Sequence, residues 1–102
     1  MKSDDKNQLL GVWISDPNDR EGRRILGAAT LEFRPDGQLL YTVHEDDADR
    51  TAVLRYRLED GWLLTDQVSA PRVERTWVKF TADGGALVLT YDGVSAHYIR
   101  RN

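Results

Sequence analysis

Ala86-Leu87-Val88-Leu89-Thr90-Tyr91-Asp92-Gly93-Val94-Ser95-Ala96-His97-Tyr98-Ile99-Arg100 decides the fold. Apolar and polar side chains alternate on both sides of Asp92-Gly93. An Asp-Gly pair between two alternating runs predicts a tight β-hairpin, because both residues tolerate positive φ and the turn matches the twist of its strands. The register this turn imposes puts Leu87, Leu89, Tyr91, Ala96, Tyr98 and Arg100 on one face.

The same signal recurs outward along the chain at Asp36-Gly37, Asp60-Gly61 and Asp83-Gly84. Between the turns lie short runs rich in β-branched and aromatic residues, which fit a pleated, half-buried surface. They predict eight strands: 9–15, 27–34, 38–44, 51–59, 62–66, 72–80, 86–91 and 94–100. No stretch carries a long helical period, and 16–26 reads as a loop with room for a short helical turn. Eight sequential antiparallel strands in 102 residues favour closure, since closure removes both sheet edges. The expected fold is all-β, an eight-stranded antiparallel up-and-down barrel. A small open sandwich is the alternative. One domain is expected over 1–102, with 1–8 as a polar lead-in.

Composition excludes several classes. Apolar residues are 40% and charged residues 30% of the chain, mixed in sign, which is a globular balance. The net charge of −3 offers no basic field for a phosphate backbone, so no nucleic acid partner is expected. There is no cysteine, which removes disulfides, thiolate chemistry and cysteine-ligated metals. No apolar run has the length of a membrane span, and the polar start Met1-Lys2-Ser3-Asp4-Asp5-Lys6 has no apolar signal core behind it. The expectation is a cytoplasmic protein with no membrane contact.

Up and down alternation sorts the connections by end. The near end, where the first strand begins, takes the tight turns at 35–37, 60–61 and 82–85. The far end takes 16–26, 45–50, 67–71 and 92–93, three of them long and polar. The near end therefore reads as closed and the far end as a mouth. Hairpin register points Leu31, Phe33, Leu39, Val43, Leu54, Leu58, Leu63, Val78, Phe80, Leu87 and Leu89 inward. It also points inward Tyr41, Tyr56, Thr65, Glu74, Thr76, Tyr91 and Tyr98.

The first strand carries Gly11-Val12-Trp13 and the last ends in Tyr98-Ile99-Arg100-Arg101. This Gly-x-Trp with a terminal Arg resembles the lipocalin (calycin) family, and its layout spans the whole chain. The chain is shorter than typical members and lacks their long closing helix and disulfide. It looks more like the minimal bacterial lipocalin-like domains, many without assigned activity. In that family the Arg packs across the indole at the closed end of an eight-stranded barrel. The resemblance therefore gives Gly11, Trp13 and Arg100 a structural role, with Arg100 a better match by parity than Arg101. A guanidinium over an indole contributes about 0.5–2 kcal/mol.

Two constellations stand out. The inward polar set supplies candidate ligand contacts: Tyr41, Tyr56, Glu74, Thr76, Tyr91 and Tyr98, with the 45–50 and 67–71 loops as rim. An eight-stranded barrel is just wide enough to be filled by side chains or to hold one small ligand. On the structural reading, the tyrosines are core residues and Glu74 pairs with a nearby Arg such as Arg72. The outward set is Trp62, Leu64, Val73 and Trp77, flanked by Arg55, Arg57, Arg75 and Lys79. Aromatic and Arg residues are enriched at binding hot spots, so this face is a candidate interface for a homodimer or another protein. On the structural reading, the N-terminal segment or the 16–26 loop covers it.

Other motifs carry little. Glu45-Asp46-Asp47-Ala48-Asp49 lacks the ligand spacing and glycine of a calcium loop, so it reads as a solvated hairpin tip. His44 and His97 have no partner at metal-ligand spacing. Ser69 and His44 share the far end with carboxylates, but a triad is recognised by geometry. No nucleophile and base are positioned by any motif, so no enzyme, metal or cofactor is expected. The function expected is non-catalytic binding of a small polar or amphipathic molecule at the far-end mouth. The alternative is a protein-interaction or self-association module, of inhibitor or immunity type, on the Trp62/Trp77 face.

Overall fold

A computed structural model describes residues 7–67, 73–81 and 84–101. Its hairpins follow from backbone freedom at the turns. Asp60 and Gly61 sit at φ 52° and 84°, and Asp92 and Gly93 at 52° and 81°, so both central residues of each turn occupy the left-handed region. That combination is the primed turn that Asp-Gly favours. The strands are β1 (Gly11–Ser15), β2 (Ala29–Phe33), β3 (Gln38–His44), β4 (Asp49–Glu59), β5 (Trp62–Gln67), β6 (Glu74–Phe80), β7 (Ala86–Tyr91) and β8 (Val94–Arg100). Each pairs antiparallel with its sequence neighbour, and β1 pairs with β8, so the sheet is a closed up-and-down barrel rather than an open sandwich.

Two connections differ from the sequence reading. The 16–26 segment holds a helix, α1 (Arg20–Leu26), capped by the Asp19 carboxylate, which accepts from the Gly22 N–H at 3.1 Å. The loop between β3 and β4 is four residues, 45–48, closed by the Glu45 N–H on the Ala48 carbonyl. β4 starts two residues earlier than expected because Asp49 pairs with His44 and Arg50 with Val43 in the ladder. A hydrogen bond between the His44 ring and Asp49 (3.0 Å) and an ion pair from Arg50 to Glu45 (2.9 Å) hold this polar strand start. Charge at a strand end is thus accommodated by cross-strand pairing, which alternation of apolar residues does not show.

The near end is sealed. Trp13, Leu9 and Leu87 are fully buried, with Phe33 and Leu31 beside them. Trp13 and Arg100 are register partners across the β1–β8 seam, and the guanidinium carbon lies 4.1 Å from the indole centroid. Arg100 also donates to the carbonyls of Leu10 and Gln8, while Trp13 Nε1 donates to the Leu9 carbonyl at 2.8 Å. The segment ahead of β1, helical at 7–9, is therefore strapped over the barrel end. Gly11 has φ 118°, a conformation L side chains rarely adopt, which accounts for glycine at the point where the strap turns into β1.

Candidate ligand cavity

The strands that seal the near end leave a cavity of about 790 Å³ towards the other. Alternation puts apolar residues on its floor: Leu31, Phe33, Leu39, Leu54, Leu63 and Leu89. Ala52 and Ala96 widen it where bulkier inward residues would close it. The polar lining comes from Tyr41, Thr65, Asp66, Gln67, Glu74, Thr76, Tyr91 and Tyr98. Register explains the grouping. Thr65 is opposite Glu74, Leu63 is opposite Thr76, and Ala52 is opposite Tyr41. Tyr91 abuts the Asp92-Gly93 turn and is exposed at the mouth.

Five of the six residues singled out from sequence thus share one cavity: Tyr41, Glu74, Thr76, Tyr91 and Tyr98. Tyr56 does not join them. It points inward, but its ring stands edge-on to Phe33 at 5.1 Å and its hydroxyl donates to the Arg34 carbonyl at 2.7 Å. Its polar group is consumed in closing the near end. Nor does the 45–48 loop contribute to the lining; the rim residues that the structure places there are Asp66 and Gln67. Residues 68–71 of the expected rim, and Arg72 as a partner for Glu74, lie outside the described residues. The sequence reading has Ala52 inside its 51–59 strand without naming it as inward-facing, and puts Gln67 in the 67–71 rim loop because that strand ends at 66, whereas β5 runs to Gln67. Counting by twos from Tyr56 and Thr65 reaches both.

Several of the cavity's polar groups have no hydrogen-bond or ion-pair partner among the described residues. Tyr98 is only 3% exposed, and its hydroxyl makes no hydrogen bond to a described residue. Yet no described side-chain polar atom is both sealed and unpaired. The Tyr98 hydroxyl must therefore reach the cavity space. Burial raises its pKa, helped by the nearby Tyr41 and Asp19; burial raises that of Tyr41 as well. Both phenols stay protonated at neutral pH and can donate as well as accept. Glu74 is half-buried and has no hydrogen bond or ion pair with a described residue. Asp66, by contrast, is held by Arg55 through two bonds of 3.0 and 3.1 Å.

On the outer surface, Trp62 and Trp77 are direct register partners whose rings meet edge-to-face at 4.8 Å. Arg75 lies over Trp62 at 4.6 Å. Leu64 is half-buried, whereas Trp77 and Val73 are 43% and 59% exposed. Neither the 7–10 strap nor α1 covers this face to the extent the structural reading expected. His44 also lies outside, between Thr30 Oγ1 (2.7 Å) and Asp49 Oδ1 (3.0 Å), and Ser69 is beyond the described residues. His97 faces Asp19, whose carboxylate lies 3.3 Å from the ring and accepts the His97 backbone N–H at 2.8 Å. Burial pushes the Asp19 pKa up, but these bonds and that from Gly22 outweigh it and hold it below the ordinary value. Among the described residues, no group of three His, Asp or Glu side chains is placed to hold a metal ion. Comparison with known protein families, with curated proteins and with solved structures finds no match for this chain.

Proposed function

We propose that this is a lipocalin-like barrel that binds a small amphipathic molecule, without catalysis, in its far-end cavity. The observation that carries the reading is a cavity with an apolar floor into which the Tyr98 hydroxyl opens with no partner among the described residues. Ligand sites are typically about 300–1,000 Å³, mostly apolar, with a few convergent polar groups. A cavity of about 790 Å³ with this lining fits that description. The seam pair Trp13/Arg100 behind Gly11 supports the lipocalin likeness at the sealed end.

The test is titration with an environment-sensitive apolar dye, together with native mass spectrometry for a retained small molecule. Ala52→Trp, which fills the cavity opposite Tyr41, abolishes dye binding on this reading, while Trp77→Ala leaves it unchanged. Equal dye binding by the Ala52→Trp protein refutes it.

A second reading rests on the exposure of Trp77 and Val73 beside Trp62 and Leu64. Large exposed aromatics in a contiguous apolar patch mark association surfaces. We infer self-association through this face as the alternative function. It predicts a dimer by sedimentation that Trp77→Ala converts to monomer. A wild-type monomer at high concentration rules it out.

A further inference from the structure

We propose that the cavity selects a cationic amphiphile, an organic amine or quaternary ammonium whose head is held by Glu74 among the tyrosines and whose tail lies on the leucine floor. This rests on reading the cavity as a binding site and adds the charge class of its occupant.

The argument starts from the charges that line the space. Among the described residues the lining contains two carboxylates, Asp66 and Glu74, and no Lys, Arg or His. Asp66 is already neutralised by the forked contact from Arg55 outside the barrel. Glu74 lines the cavity and has no such partner among the described residues. A half-buried carboxylate loses part of its hydration and gains most from a cation delivered to it. An anionic head meets the opposite situation, since it brings like charge into a space of reduced dielectric.

The neighbouring groups point the same way. Three tyrosines line the cavity, and aromatic faces attract ammonium groups through the ring quadrupole. Thr76 and Thr65 flank Glu74 on β6 and β5 and can take up hydrogen bonds from an amine. Below them the floor is hydrocarbon, from Leu63 and Leu54 to Leu31 and Phe33. Such a surface rewards a tail by area buried and has no polar atom to hold a second charged group.

The experiment uses three probes with the same alkyl chain at submicellar concentration: decyltrimethylammonium, decanol and decanoate. Each is titrated calorimetrically at pH 7 into the full chain. The expected order is cation, then alcohol, then carboxylate, with the cation about tenfold or more tighter than the carboxylate. Glu74→Gln should bring the cation to within about threefold of decanol. Decanol binding retained by that variant shows that it is folded and its cavity intact. Equal binding of all three probes by the wild type overturns the charge selection and leaves the cavity reading standing. Failure of all three to bind overturns the cavity reading, and the charge selection with it. Cation binding unchanged by Glu74→Gln would show that Glu74 does not hold the head, and cation binding unchanged by Ala52→Trp would place the cation outside the cavity; either result overturns the proposal.

Discussion

The two ends of the barrel treat polar groups in opposite ways. At the near end Trp13 Nε1, both Arg100 donor arms and the Tyr56 hydroxyl all end on backbone carbonyls. At the far end the hydroxyls of Tyr41, Tyr91 and Tyr98 and the Glu74 carboxylate have no partner among the described residues. Burying an unpaired polar group costs about 1–3 kcal/mol. Such groups persist only where water or a ligand can reach them. The difference teaches that this small barrel concentrates its packing at one end and leaves the other open, with cavity groups that no described residue satisfies.

The largest break in that asymmetry comes from Trp13→Ala. The indole is fully buried, tilted against Phe80 at 6.4 Å, bonded to the strap and stacked under Arg100. Its loss leaves a cavity at the seam, and stability should fall by about 3–5 kcal/mol, measured by urea denaturation. The contrasting change is Tyr91→Ala at the mouth, where the side chain is 40% exposed. It should stay within about 1 kcal/mol of wild type. If the two losses were equal, the ends would share the packing and the contrast would fail.

Asp19 tests the link between α1 and the barrel wall. Its carboxylate caps the helix at Gly22 and accepts the His97 N–H of β8. Asp19→Ala should cost about 1–2 kcal/mol, as loss of a helix cap does. The folded-state pKa lies below the ordinary value, so the charged form is the stabilising one. Its contribution is complete above an unfolded-state pKa of about 3.9 and is lost as pH falls through the lower folded value. The difference in unfolding free energy between wild type and Asp19→Ala should therefore shrink below about pH 4. A difference independent of pH would show that the cap acts without its charge.

Most of the barrel was legible because hairpin turns are written locally. The Asp-Gly pairs at 36–37, 60–61 and 92–93 lie at described turns, and period-two alternation then points to which side chains face in. The Trp13/Arg100 contact was legible because both residues fall at the same end by counting strands. The missed features are those decided by contacts remote in sequence. α1 is a seven-residue helix with no apolar period of its own, held by a cap and by a contact to β8. The early start of β4 depends on charged pairs that read as a solvated loop. Tyr56 illustrates the limit best. Its face was correct, but the Arg34 carbonyl that takes its hydroxyl is 22 residues away, and parity cannot tell a satisfied phenol from a free one.

That distinction gives the smallest and sharpest effects, in a pair of Tyr→Phe changes that remove one oxygen each. Tyr56→Phe removes the donor to the Arg34 carbonyl and should cost about 1 kcal/mol of stability, with dye binding unchanged because Tyr56 is outside the cavity lining. Tyr98→Phe removes a hydroxyl that has no partner among the described residues, so stability should hold to within about 0.5 kcal/mol or rise slightly. Its effect belongs in binding, where loss of one hydrogen bond from the cavity should weaken a polar-headed ligand several-fold, by about 1 kcal/mol. Should Tyr98→Phe cost as much stability as Tyr56→Phe and leave binding untouched, the Tyr98 hydroxyl would be a core group like its near-end counterpart. The two ends of the barrel would then be chemically alike, and the far-end space would be a packing gap.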